Sequence, residues 1–247
     1  MRAIAILLLA LAGCAAQPVQ SGASQPKSSA AVHTELGAGY YSRGQYAVAL
    51  QELNAALKAD PSYAQAYNML GLVYMTLREN TTAEENFGRA LNLNPRDSDI
   101  NNNYGWFLCQ TGRAAQSIKH FQIALANPLY ATPEKAYLNA GICAVRMKDD
   151  RHAEIYYHEA LQAQPKLAMA DLGLAGIYYR DGSYKRARMY LSSYMKMAAP
   201  SAASLWLGIR IEHALGGSDA EADYAEQLRN RFPDSSEAQD LRDGKFQ

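Results

Sequence analysis

The side chains able to do chemistry in this chain of 247 residues are few and scattered. Five histidines stand at His33, His120, His152, His158 and His213, and no two are four residues apart, the spacing that lets one helix offer a pair to a metal. Glu84-Glu85 and Asp149-Asp150 are carboxylate pairs of the kind that occupy solvated surfaces and turns. No glycine-rich phosphate loop follows a strand pattern, and there is no nucleophile elbow. The expectation is therefore no catalytic residue, no metal, no cofactor and no enzyme. Three cysteines remain, Cys14, Cys109 and Cys143, too few for a disulfide-built miniprotein. A composition 49% hydrophobic and 19% charged excludes a disordered chain, and 24 basic against 24 acidic side chains give no net field to attract nucleic acid.

Cys14 has an informative context. Arg2 supplies a positive start, Ala3 to Ala10 an apolar stretch, and Leu11-Ala12-Gly13-Cys14 follows in the order of a secretory signal. The apolar run is about ten residues, half of the roughly twenty that a membrane-spanning helix needs. The segment resembles the lipobox of bacterial lipoproteins. That resemblance implies removal of residues 1–13, acylation of Cys14, a membrane anchor through lipid, and passage through the lipoprotein sorting machinery. Ala15 stands where an Asp would signal inner-membrane retention, which implies the periplasmic face of the outer membrane. Residues 14–29 hold one β-branched side chain and no aromatic, too little to offset the entropy of ordering, and read as a flexible tether. Such a chain spans about 20 Å root-mean-square and at most about 50 Å.

The rest of the chain is periodic. Prolines at 61, 95, 128, 165, 200 and 233 are separated by 34, 33, 37, 35 and 33 residues. Upstream of each a block recurs, most fully as Tyr67, Leu70-Gly71, Tyr74, Ala83, Phe87, Ala90 and Pro95. This resembles the tetratricopeptide repeat and implies an all-α fold, a right-handed superhelix (α-solenoid) of about six repeats. The expected units are 30–63, 64–97, 98–133, 134–167, 168–200 and 201–234, with 235–247 as a partial cap. Small residues such as Gly71, Gly105, Gly141 and Ala83 let paired helices approach, while Phe87, Phe121 and Tyr157 fill the space beyond. The junction Asn127 to Pro133 holds two more residues than the frame, and Thr132 followed by Pro133 predicts a capped helix start. A partner-facing feature and a tolerated longer loop both fit it.

In such repeats the concave face is built from positions 2, 5, 9, 12 and 13 of each first helix. Here these include Tyr41; Asn68, Leu72 and Met75; Asn102 and Trp106; Leu138, Ile142, Val145 and Arg146; Leu172, Tyr179 and Arg180. An apolar trough with amide donors and two arginines suits a peptide with apolar anchors and a few carbonyls or carboxylates. Leu72, Met75 and Trp106 are the foremost candidates. Repeats that clamp a terminal carboxylate carry Lys and Asn at positions 5 and 9; Thr34, Ala38, Asn68 and Leu72 do not match, and that activity is not expected.

Cys109 and Cys143 fall on first helices of repeats three and four, which pack side by side. In an oxidising compartment, pairing across that interface and two separately buried thiols are both compatible with these positions. A more specific likeness lies in Asn101-Asn102-Asn103-Tyr104-Gly105-Trp106-Phe107-Leu108-Cys109, in the stretch from Phe121 to Tyr130, and in Leu138-Asn139-Ala140-Gly141-Ile142-Cys143. Together with the signal and repeat number, these resemble the type IV pilus biogenesis/stability lipoprotein family. The resemblance implies a pilotin, a lipoprotein that binds the type IV pilus secretin subunit and promotes its localisation and multimerisation at the outer membrane. The rival expectation is an envelope adaptor lipoprotein that docks a periplasmic protease or a peptidoglycan enzyme.

Overall fold

The computed structural model describes residues 27–246. The signal, Cys14 and most of the proposed tether lie outside the described residues. Within them the chain is all-α, in keeping with a tetratricopeptide solenoid. Twelve helices form six antiparallel pairs, α1 (Ser29–Ser42) with α2 (Tyr46–Ala59), α3 (Ala64–Thr76) with α4 (Asn80–Leu93), and α5 (Ser98–Gln110) with α6 (Ala114–Leu125). They continue with α7 (Pro133–Arg146) and α8 (Asp150–Ala163), α9 (Ala168–Arg180) and α10 (Tyr184–Met197), and α11 (Ala202–Leu215) and α12 (Ser218–Arg231). A short α13 (Ser236–Arg242) packs on α11 and α12.

The odd-numbered helices α1 to α11 touch one another in an unbroken row, while each even-numbered helix meets its own partner and the next odd helix. The odd row is thus the inner wall of the stack. Why the pairs approach so closely is visible at the glycines. A Cβ on Gly71 would lie 2.7 Å from the Phe87 ring, on Gly105 2.9 Å from Phe121, and on Gly141 2.7 Å from Tyr157. Phe87 and Phe121 are fully buried, and Tyr157 nearly so. In repeat five Ala175 stands in place of the glycine and packs in one core cluster with Leu191, and Tyr157 also leans over Gly173, where a Cβ would run into the ring.

The turn between helices of a pair needs a left-handed residue, supplied by Gly44, Gly112, Gly182 and Gly216. Repeats two and four place Arg78 (φ 63°) and Lys148 (φ 60°) there instead, a conformation that side chains disfavour.

Three details differ from the sequence expectations. The first helix begins at Ser29, one residue inside the proposed tether, because the Ser28 hydroxyl accepts from the Ala31 amide at 3.2 Å. Pro133 does open α7, but the Thr132 side chain makes no capping bond. The inserted junction is not loose: Asn127 accepts from the Leu129 amide at 3.0 Å and donates to Ser98 Oγ at 3.1 Å. Tyr130 tucks against Ala124 and Ala136, leaving Leu129 projecting, 87% exposed.

Candidate functional site

The inner wall carries the residues expected to hold a partner, and the structure divides them into two groups. Tyr41, Leu72, Met75, Trp106, Leu138, Ile142, Val145 and Tyr179 are partly buried, with their inner edges in the core and their outer edges open. Leu72 and Met75 rest on the cluster of Ala83, Phe87 and Phe107. Trp106 rests on Cys109, Phe121, Ala140 and Cys143. Leu138, Ile142 and Val145 pack against the large cluster around Ala144, Tyr157 and Leu174. Tyr41 is steadied by a 3.0 Å hydrogen bond to Thr76 Oγ1 on the next inner helix. These side chains make one apolar row along α1, α3, α5, α7 and α9.

The second group serves the wall itself: at Asn102, whose amide donates to Asn103 Oδ1 at 3.4 Å, this corrects the expectation of a free amide donor, while at Asn68 it is the side-chain oxygen that is taken up. Asn68 and Asn102 are each only 5% exposed. Asn103 donates to Asn68 Oδ1 at 3.2 Å, tying α5 to α3, and Asn139 donates to Asn102 Oδ1 at 3.0 Å, tying α7 to α5. The third member of the asparagine run, Asn101, donates to the Pro95 and Asp97 carbonyls and holds the preceding loop. Buried amides need partners, and here the neighbouring helices supply them. His120 Nδ1 meets Asn101 Oδ1 at 3.0 Å, and burial, with Lys119 adding repulsion, holds this imidazole below its ordinary pKa.

The arginines also differ from expectation. Arg180 is engaged by Asp150 through two bonds, at 2.8 and 2.6 Å, so its charge is answered at the start of α8 rather than offered to a ligand. Arg146 donates to the Cys109 carbonyl and to Gln110 Oε1, both at 3.0 Å, and lies 5.7 Å from the Trp106 ring centre. It remains exposed, so that Trp106 and Arg146 form an aromatic and cationic pair at the middle of the row. Beneath them Cys109 and Cys143 are joined in a disulfide, with Cα atoms 5.9 Å apart.

The far end of the row contains a feature that sequence reasoning missed. After α13 the chain turns at Gly244 (φ 69°) and lays Phe246 on α11. The Phe246 ring stacks on His213 at 4.4 Å and on Trp206 at 5.8 Å, and Tyr179 Oη donates to the Phe246 carbonyl at 3.4 Å. The concave positions of repeat six predict His213 but not Trp206, and nothing in the repeat period marks Phe246. Its aromatic character in an otherwise polar segment is the one signal available.

No group of three or more His, Cys, Asp or Glu side chains able to hold a metal gathers among the described residues, and none of the described helices is long and apolar enough to cross a membrane. What the arrangement can do is bind: a rigid, stepped apolar surface on stacked helix pairs defines a scaffold of tetratricopeptide repeats. Profiles described as TPR repeat and tetratricopeptide repeat match residues 29–77 and 68–136. The chain belongs more narrowly to the type IV pilus biogenesis family of such proteins. It is 30% identical over 246 residues to the type IV pilus assembly protein PilF of Pseudomonas aeruginosa, covering 98% of each chain. Among solved structures it resembles PilW, a widely conserved type IV pilus biogenesis factor, with a TM-score of 0.80 and 36% identity over 87% of this chain and 99% of that one. The Pseudomonas aeruginosa PilF structure superposes with a TM-score of 0.82 and 30% identity, covering 87% and 97%.

Proposed function

We propose that this protein acts in type IV pilus biogenesis as a pilotin: an outer-membrane lipoprotein, anchored through Cys14, that captures the secretin subunit on its inner wall. The observation that carries the reading is likeness to pilus assembly proteins across nearly the whole chain, combined with an apolar row left open along five inner helices. Lipid acts as a tether. Confining captured subunits to one membrane face raises their effective concentration, so assembly of the ring is favoured without turnover. Delivery to the outer membrane falls to the lipoprotein sorting machinery.

Cell fractionation and pulldown test the reading together. A Cys14→Ser chain is expected to become soluble and to leave the secretin mislocalised. Trp106→Ala and Leu72→Asp are expected to weaken secretin capture while helicity stays native. Normal secretin multimers in the Cys14→Ser strain would refute escort by tether, and undiminished capture by both wall variants would remove the binding assignment.

A further inference from the structure

Phe246 occupies its place in the manner of a ligand. It sits at the C-terminal end of the inner row and presents one ring and one backbone carbonyl. The ring lies nearly parallel to His213, with 7° between planes, and at 27° to Trp206. The carbonyl accepts from Tyr179, a residue of the row itself. Contact through a ring and a main-chain carbonyl is what any extended segment bearing an aromatic residue could make.

Arg210 shows what the present occupant leaves unused. Its guanidinium lies 4.7 Å from the Tyr179 ring centre and 5.7 Å from that of Trp206, fixed between two aromatic faces. Its Nε is buried and has no hydrogen-bond partner among the described residues. A buried donor of a charged group left unsatisfied is unfavourable, and the natural acceptor is a carboxylate or carbonyl beside the seated ring. On the described side of the seated ring, Lys245 turns its ammonium away to Asp243 at 2.7 Å.

We propose that Tyr179, Trp206, Arg210 and His213 form a recognition subsite for an extended partner segment carrying a phenylalanine flanked by a carboxylate, and that Phe246 is a built-in competitor that partner must displace. The inference rests on the proposed capture of a partner on this wall only for the partner's identity; the seat and its occupant are observed. A tethered occupant acts at high effective concentration, so displacement demands a better ligand, and the unmatched Arg210 donor is the means by which a better ligand is told apart.

The test uses the full chain with Cys14→Ser and fluorescein-labelled octapeptides. One has the sequence of residues 240–247; the others replace its Phe by Ala or its final Gln by Glu. In fluorescence anisotropy Phe246→Ala protein is expected to bind the first peptide at least tenfold more tightly than the parent. The Glu peptide should bind more tightly still, an advantage lost in Phe246→Ala/Arg210→Gln, and the Ala peptide should bind at least tenfold more weakly. If Phe246→Ala lowers the helicity, Phe246→Leu carries the same comparison, since leucine fills the space without stacking. Equal peptide affinity for parent and opened variants, or binding that survives His213→Ala with Tyr179→Phe, would overturn the proposal. Secretin pulldown separates the two readings: capture by the parent chain with no peptide binding sinks the subsite alone, whereas peptide binding without secretin capture sinks the pilus partner.

Discussion

Removing the disulfide between Cys109 and Cys143 should weaken the stack by an amount the chain length determines. The bond closes a loop of 34 residues between the inner helices of repeats three and four. The entropy that such a closure removes from the unfolded chain corresponds to about 4 kcal/mol at 25 °C. Cys143 is fully buried and Cys109 is 2% exposed, so alanine is the substitution that leaves no buried hydroxyl behind. With a urea dependence of about 2–3 kcal/mol per molar, the unfolding midpoint of Cys109→Ala/Cys143→Ala should fall by about 1.5 M. The Cys14→Ser background removes the remaining thiol, so that reductant added to the otherwise native chain must give the same shift. Hydrogen exchange should speed up first in α5 and α7, because stability in a stack is carried by neighbouring interfaces. A midpoint that moves by less than 0.3 M (about 1 kcal/mol) on both mutation and reduction would refute the reasoning.

Three further outcomes follow from the packing. Gly71→Ala should lower stability by about 1–2 kcal/mol, because the Cβ meets the buried Phe87 ring at 2.7 Å, whereas Gly88→Ala in α4, with nothing within 4 Å, should raise it by up to about 1 kcal/mol; paired urea melts read both signs. Arg78→Gly and Lys148→Gly relieve left-handed side chains at two turns and should each stabilise the chain by about 1 kcal/mol, measured the same way. His120, whose pKa is lowered in the folded chain, should favour folding in its neutral form: that contribution is complete above the ordinary histidine value and is lost as the pH falls through it toward the depressed folded value. Its NMR titration should therefore fall below that of a model histidine, and His120→Gln should flatten this part of the pH-stability curve.

The repeat frame was readable because each of its positions answers a steric demand: glycine where an aromatic leans over the helix, proline where the chain must turn. Those demands recur every 34 residues or so, and the helix pairs fall where the period puts them. Position alone, however, does not tell whether a polar side chain faces a ligand or a neighbour. Asn68 and Asn102 occupy concave positions, yet their partners Asn103 and Asn139 stand one position further along the adjacent helices, a pairing across repeats that no single repeat displays. Arg180 is similar, since Asp150 lies 30 residues away on a different helix. Phe246 lies outside the period altogether, and only the turn at Gly244 brings it back to Trp206 and His213.

The contact pattern also governs how the stack yields under load. Among the described residues the outer helices do not pack backbone against backbone, and α8 and α10 meet through side chains, Glu154 with Arg186 at 3.6 Å and His158 edge-on to Tyr190, so each pair can rock on its inner neighbour like a leaf in a bellows. The covalent bolt between α5 and α7 denies that movement at the midpoint. Compliance is thereby displaced toward the two ends, and a long guest lying on the inner face would find a stiff centre flanked by arms able to close.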